Sequence, residues 1–337
     1  MNIQKSAGFG SCLLLALAAC GSSDGGGTAG PTADQACADT ASAHCARRDA
    51  CTDNAWAVRN YGDLATCEAR QVLGCVLSLG ASGTGGTPTR VESCAAALPG
   101  VSCDDLFSGA LPDVCLPATG TLAEGLACAF SAQCQTTFCK VAPGALCGTC
   151  GAVPKEGDPC ADAADCGARG LACSGTLQTC YTPGASGGAC GKDHPCGHAL
   201  SCVGATATVD GTCDVAATTA GTTCDPKRKT APDCDASSGL GCDAATLKCI
   251  AATYVANGQA CDNKLLQCPG GGRCVFASGA ATGTCHIAAT EGEPCDTSAG
   301  PPCLSPARCV WADAAGTAGT CRLPDPVSCG TPLSAGE

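Results

Sequence analysis

Gly170–Cys180 reads GLACSGTLQTC and Gly239–Cys249 reads GLGCDAATLKC. Two cysteines bracket a short polar turn in each, and a glycine leads in. The same device recurs with a longer span at Ser201–Cys213 (SCVGATATVDGTC), Arg273–Cys285 (RCVFASGAATGTC) and Arg308–Cys321 (RCVWADAAGTAGTC). Apolar and polar residues alternate around glycine-rich tips, the pattern of a β-hairpin, with a bridge expected near its base. Each device closes a four-cysteine unit. Successive units start at Cys160, Cys190, Cys224, Cys261 and Cys295, at intervals of 30, 34, 37 and 34 residues, and Cys329 follows 34 residues later. A period of this length marks an array of small structural units. Ahead of it, Glu124–Cys150 carries five cysteines and reads as an irregular first unit.

Composition says what must hold such units together. The chain has 337 residues and 36 cysteines, but only 5 Phe, 3 Tyr and 2 Trp. Cysteine above about 8–10% is the mark of a disulfide scaffold in an exported chain. Ala, Gly and Thr bury little apolar area, and burial contributes only about 25 cal/mol per Å². Crosslinks must replace the missing core, each stabilising by about 2–4 kcal/mol, chiefly by restricting the unfolded chain. Cys147 and Cys150 form the one C-x2-C in the sequence. Zinc sites favour paired close spacings, and the turn-rich surroundings of CGTC lack the strand–helix context of a redox pair. Structural disulfides are the expectation, with no metal or cofactor.

Upstream of the array the texture changes. Residues 34–117 hold eight cysteines and read as helical. In TADQACADTASAHCARRDAC, Cys37 and Cys45 lie eight apart on one helical face, and His44 falls on the surface side. In GDLATCEARQVLGCVLSLG, Asp63 caps the start, Cys67 and Cys75 again lie eight apart, and Gly80 ends the run. Thr87 before Pro88 suits an N-cap followed by the first helical position, and Thr89 with Glu92 offers a competing capping box. Asp104 and Asp105 suit the first turn of a short helix. Cysteines eight apart on facing helices can staple them like rungs. A helical domain with four bridges among Cys37, Cys45, Cys51, Cys67, Cys75, Cys94, Cys103 and Cys115 is therefore expected. The fold class is small and disulfide-rich: a stapled helical domain, then an elongated array of about six hairpin modules over residues 118–337.

The pairing of Cys329 is the open point. If each regular unit closes on itself, as Cys160, Cys166, Cys173 and Cys180 would, Cys329 is left for a distant cysteine in the first unit. An extended array argues against that. A frame shifted by one is expected instead, with bridges crossing unit boundaries, Cys150 joining the next unit and Cys329 bonding back to Cys321.

The chain opens on a short basic region and an apolar run from about Phe9 to Ala19. The run is too short to span a bilayer core of about 30 Å and reads as a signal peptide over residues 1–19. It ends in Leu17-Ala18-Ala19-Cys20, and GSSDGGGTAGPTADQ follows, a flexible tether over residues 20–33. LAAC resembles the lipobox of bacterial lipoproteins. The resemblance implies that Cys20 takes a diacylglyceryl group, that cleavage falls between Ala19 and Cys20, and that the new amino terminus is acylated. Several acyl chains anchor stably where one does not. Gly21, in place of the Asp associated with inner-membrane retention, implies the outer membrane. The whole plan, including YGDLATCEAR at Tyr61–Arg70 and GTLAEGLAC at Gly120–Cys128, is similar to cysteine-rich lipoproteins of myxobacterial type. The repeats resemble the Dickkopf-type amino-terminal cysteine-rich region and EGF-like modules.

The net charge of −12 disfavours a nucleic-acid partner, whose phosphates want a basic surface. The basic run Lys227–Lys229 reads as a solvated turn. His194 and His198 stand four apart, but Pro195 and Gly197 argue against a helix there, so they read as a loop. Trp311 and Phe276, at equivalent places in their units, read as hairpin packing. The chain lacks the D-x-D-x-D-G calcium pattern. With no catalytic constellation, the expected function is that of a non-enzymatic, lipid-anchored envelope protein for surface interaction or adhesion. A secreted-type binding or inhibitor module recognising a protein ligand is the alternative.

Overall fold

The computed structural model describes residues 30–160, 163–166, 170–174, 176–313 and 316–330. The signal segment, Leu17 to Cys20 and the tether up to residue 29 lie outside them.

Six α-helices are described: α1 (Ala33–Ala50), α2 (Ala55–Tyr61), α3 (Leu64–Leu79), α4 (Pro88–Ala97), α5 (Cys103–Ser108) and α6 (Pro326–Gly330). The first five build a hub. Their starts are set by side-chain caps that relieve unpaired N–H groups. Thr32 Oγ1 accepts from Gln35 N, Asp63 Oδ1 from Thr66 N, and Ser102 Oγ from Asp105 N. At α4 the competition falls to Thr87, which accepts from Arg90 N with Pro88 opening the helix. Asp49, almost fully buried, accepts from Ala57 N at 2.7 Å and so ties α1 to α2. Two rungs staple α1 against α3, Cys37–Cys75 and Cys45–Cys67. Cys51–Cys103 and Cys94–Cys115 fix α5 and α4. Leu98, Val101 and Leu106 fill the space between them.

Six modules follow, and every one pairs its cysteines alike. In the module of Cys160, bridges run Cys160–Cys173 and Cys166–Cys180. The same first-to-third and second-to-last pattern holds from Cys190, Cys224, Cys261 and Cys295. The boundary-crossing frame is overturned: Cys321 bonds to Cys303, and Cys150 stays in its own unit through Cys134. The hairpin bridge is corrected too. Cys202 faces Cys213 across the hairpin, yet each bonds elsewhere, to Cys190 and Cys196. The two bridges thus cross, and their sulfurs make the core that apolar side chains would supply in a larger domain.

Four of the modules carry a three-stranded sheet with the last strand in the middle. That strand carries Gly-Thr-Cys, and its glycine faces the first cysteine of the module: Cys128↔Gly148, Cys190↔Gly211, Cys261↔Gly283 and Cys295↔Gly319. A Cβ there would sit 1.9–2.5 Å from a carbonyl oxygen of the neighbouring strand. The shared GTC ending therefore records a steric demand. A second local device is aspartate after cysteine. Asp225, Asp243, Asp262 and Asp296 each accept backbone N–H groups of the turn that follows. Such hydrogen bonds hold Asp296 down at about 2.

The first module is regular apart from one inserted cysteine. It bonds Cys128–Cys139 and Cys134–Cys150, which leaves Cys147. Cys147 pairs with Cys329 of α6, 182 residues away. The elongated arrangement expected of the array is corrected by this bridge, because the sixth module returns to the first. Arg308 donates to Ala129 O and Leu146 O, and Trp311 N donates to Gly144 O. The Trp311 ring lies so close over Gly144 that a Cβ there would meet it at 2.0 Å. Its packing thus joins two modules, beyond its own hairpin.

The closed array bends around the hub. The first module touches it where Gln133 Nε2 donates to Ser82 O. The third touches it where His198 stacks on Phe107. In the fourth, Ala236 O accepts from Arg59 Nη1. In the fifth, Gly270 N donates to Val58 O. In the sixth, Arg70 donates to Glu291 and to Leu304 and Ser305 carbonyls. Residues 31–337 accordingly form one compact unit.

Candidate functional site

The seams between hub and modules hold the clefts and the clustered polar groups. One cluster gathers around Arg48. Its guanidinium carbon lies 5.1 Å from the centre of the Trp56 ring and 4.8 Å from that of Phe107. Arg48 Nε donates to His44 Nε2 at 2.9 Å, and Trp56 meets His44 edge-on. His198 stacks on the far partner, Phe107, with ring centres 3.7 Å apart. Cation–π contacts of this kind contribute about 0.5–2 kcal/mol. His44 and His198 are thus corrected from surface and solvated-loop positions to packed ones. Neither ring pairs with a serine or cysteine nucleophile, and the cluster joins the third module to the hub. Burial lowers the pKa of both rings; at His44 the neighbouring Arg48 charge lowers it further, to about 4.

That shift has a sign. The unfolded chain takes up the His44 proton near pH 6.5, and the folded one only near 4, so the folded state loses ground as pH falls through this window. At 1.36 kcal/mol per unit the loss comes to about 3 kcal/mol. In His44→Gln, which keeps an acceptor for Arg48, unfolding free energy measured by denaturant titration is expected to lose this fall between pH 6.5 and 4. An unchanged pH profile would show that His44 does not titrate this way.

Three clefts lie along the same seams. The first, about 290 Å³, opens where α3, α4 and residues 114–118 meet the first module. Leu79, Val91, Val114, Leu116 and Phe130 give it apolar walls, with Thr40, Ser78, Arg90 and Ser131 the polar residues among them. A second, about 260 Å³, shares Thr40, Cys75, Cys94 and Cys115 with it and is closed by Ser305 and Pro306 of the sixth module. A third, about 460 Å³, is polar and lies between α2 and the fifth module, with Arg59, Asn60, Asn263 and Gln267 along it.

Arg90 is held by one edge only. Its Nη2 donates to the Asp113 and Leu116 carbonyls, while Nε is without a partner. The ion pairs of the described residues, Arg70–Glu291 and Lys140–Asp165, do not include it. The basic run Lys227–Lys229 sits in a turn whose N–H groups bond to Asp225. Clusters of three cysteines have sulfurs within 4.8 Å of one another, but those sulfurs belong to crossed disulfides. Cys147 and Cys150 bond to different partners, so CGTC is not a dithiol pair.

Sequence reasoning missed the clefts because their walls come from segments far apart in the chain, residues 40–132 for the first, 40–306 for the second and 59–272 for the third, brought together only by packing. It also missed the role of Arg90, a single cation in a helix of small residues. No helix of the described residues is long and apolar enough to cross a membrane. No protein-family model, no curated protein and no solved structure matches this chain.

Proposed function

We propose that the chain is a lipid-anchored protein of the bacterial outer membrane, held through an acylated Cys20, and that its disulfide-locked body is a non-enzymatic binding body for surface interaction or adhesion. The observation that carries the reading is the disulfide set. The seventeen bridges of the described residues take up every cysteine from Cys37 to Cys329. Bridges persist in oxidising compartments and are rare in the cytosol, which supports export. LAAC, ending in Cys20, supports the lipid anchor, and the glycine-rich tether supports a body standing off the membrane. The array is a collar around the helical hub in this reading, and it presents its hairpin tips on a rigid ring.

Mass spectrometry of the protein from envelope fractions is expected to find an amino terminus at Cys20 carrying acyl chains. Cys20→Ser is expected to move the protein from the membrane fraction to the soluble one. An unacylated terminus, or a Cys20→Ser chain that stays in the membrane fraction, would overturn the anchor.

A further inference from the structure

The cleft between the hub and the first module has a lining whose chemistry points to one class of ligand. Its walls are apolar, and the positively charged Arg90 is set among them without an anionic partner. A charge beside apolar surface is costly unless it is paired. The carbonyls of Asp113 and Leu116 hold one nitrogen of the guanidinium and leave its charge uncompensated. Ser78 and Ser131 add hydroxyls to the same lining. The Ser131 hydroxyl already accepts from Cys139 N, which leaves its own hydrogen free to donate. Donors of one sign and apolar walls call for a molecule with an anionic, acceptor-only head and an apolar body. A carboxylate meets a guanidinium with charge-assisted hydrogen bonds, about twice as strong as neutral ones.

Size narrows the class. The cavity of about 290 Å³ lies at the small end of ligand pockets, about 300–1,000 Å³. At about 30 Å³ per water-sized group it holds on the order of ten non-hydrogen atoms. We infer that this cleft binds a small amphiphilic carboxylic acid, a medium-chain fatty acid or an aliphatic acid of similar size, with its head at Arg90 and its chain along Leu79, Val91, Val114 and Phe130. The inference rests on the binding reading above and supplies its ligand class. The anchor plays no part in it.

The test uses the exported Cys20→Ser chain with its disulfides intact, so that no attached lipid competes. Octanoate and octanol, probes of equal chain length, are titrated by calorimetry at pH 7. Octanoate is expected to bind at least tenfold tighter than octanol to the otherwise unaltered chain. Arg90→Met is expected to weaken octanoate at least tenfold and octanol less than twofold. Ala118→Leu, which fills the cleft from its wall, is expected to weaken both. Should Arg90→Met fail to fold, Arg90→Gln keeps a donor for the Asp113 carbonyl and carries the same comparison. No octanoate binding, equal binding of the two probes, or octanoate binding that survives both Arg90→Met and Ala118→Leu would overturn the inference. None of these results would touch the acylation of Cys20, which is read separately.

Discussion

Replacing Cys147 and Cys329 together with serine is expected to open the collar and to lower the unfolding free energy by about 3 kcal/mol. The bridge spans 182 residues, where the next longest spans 52. A single closed loop of that length would restrict an otherwise free unfolded chain by about 5 kcal/mol. The other bridges already shorten the free path between its ends, which brings the figure down. The double replacement leaves no odd thiol to mispair. The modules keep their own crossed bridges and remain folded. Arg308, Trp311 and α6 lose the clamp that holds them against the first module. Small-angle scattering is expected to show a larger radius of gyration than that of the bridged protein, for which a compact body of this size gives about 20 Å. Identical scattering curves and identical denaturation midpoints would show that the seam contacts alone close the collar.

Gly319→Ala is expected to cost about 3 kcal/mol, at the top of the usual range for forcing extra carbon into a packed site. The new Cβ would lie 1.9 Å from Val310 O and 2.8 Å from Trp311 Cα, both backbone atoms. The strands cannot move apart to receive it, because Cys295–Cys309 and Cys303–Cys321 tie them from both sides. Gly292→Ala in the same module is the control. Gly292 has φ +84° and open space around it, so alanine there meets only backbone strain, about 1 kcal/mol. Guanidinium denaturation with disulfides intact compares the two. Equal costs would mean that the middle strand has room and that the GTC ending has another cause.

Much of the architecture is written locally. Asp63, Thr87, Pro88 and Gly80 bound their helices through caps that act over three or four residues, and such signals survive any tertiary context. Cysteines eight apart must share a helical face, so the rungs Cys37–Cys75 and Cys45–Cys67 follow from spacing once two helices face each other. The histidines went the other way. His44 stands in an alanine-rich helix; Arg48, one turn on, bonds to its ring, and the rest of the cover comes from Trp56, which α2 brings back against it. His198 is covered by Phe107, 91 residues earlier.

The sequence by itself determined that this chain is crosslinked, that its first part is helical and its second modular, and where each module begins. Those properties depend on composition and on spacings shorter than one module. Only the tertiary structure decided that the modules curve back upon the hub. The partner of Cys329, the apolar cleft at Arg90 and the burial of His44 all depend on that curvature. Its cause is a sum of weak seam contacts, from Gln133 to Arg70, that no spacing encodes. The odd cysteine of the first module and the odd cysteine at the end of the chain each leave one sulfur over. That they bond to each other follows only when the two ends of the array come within 5.4 Å at their Cα atoms.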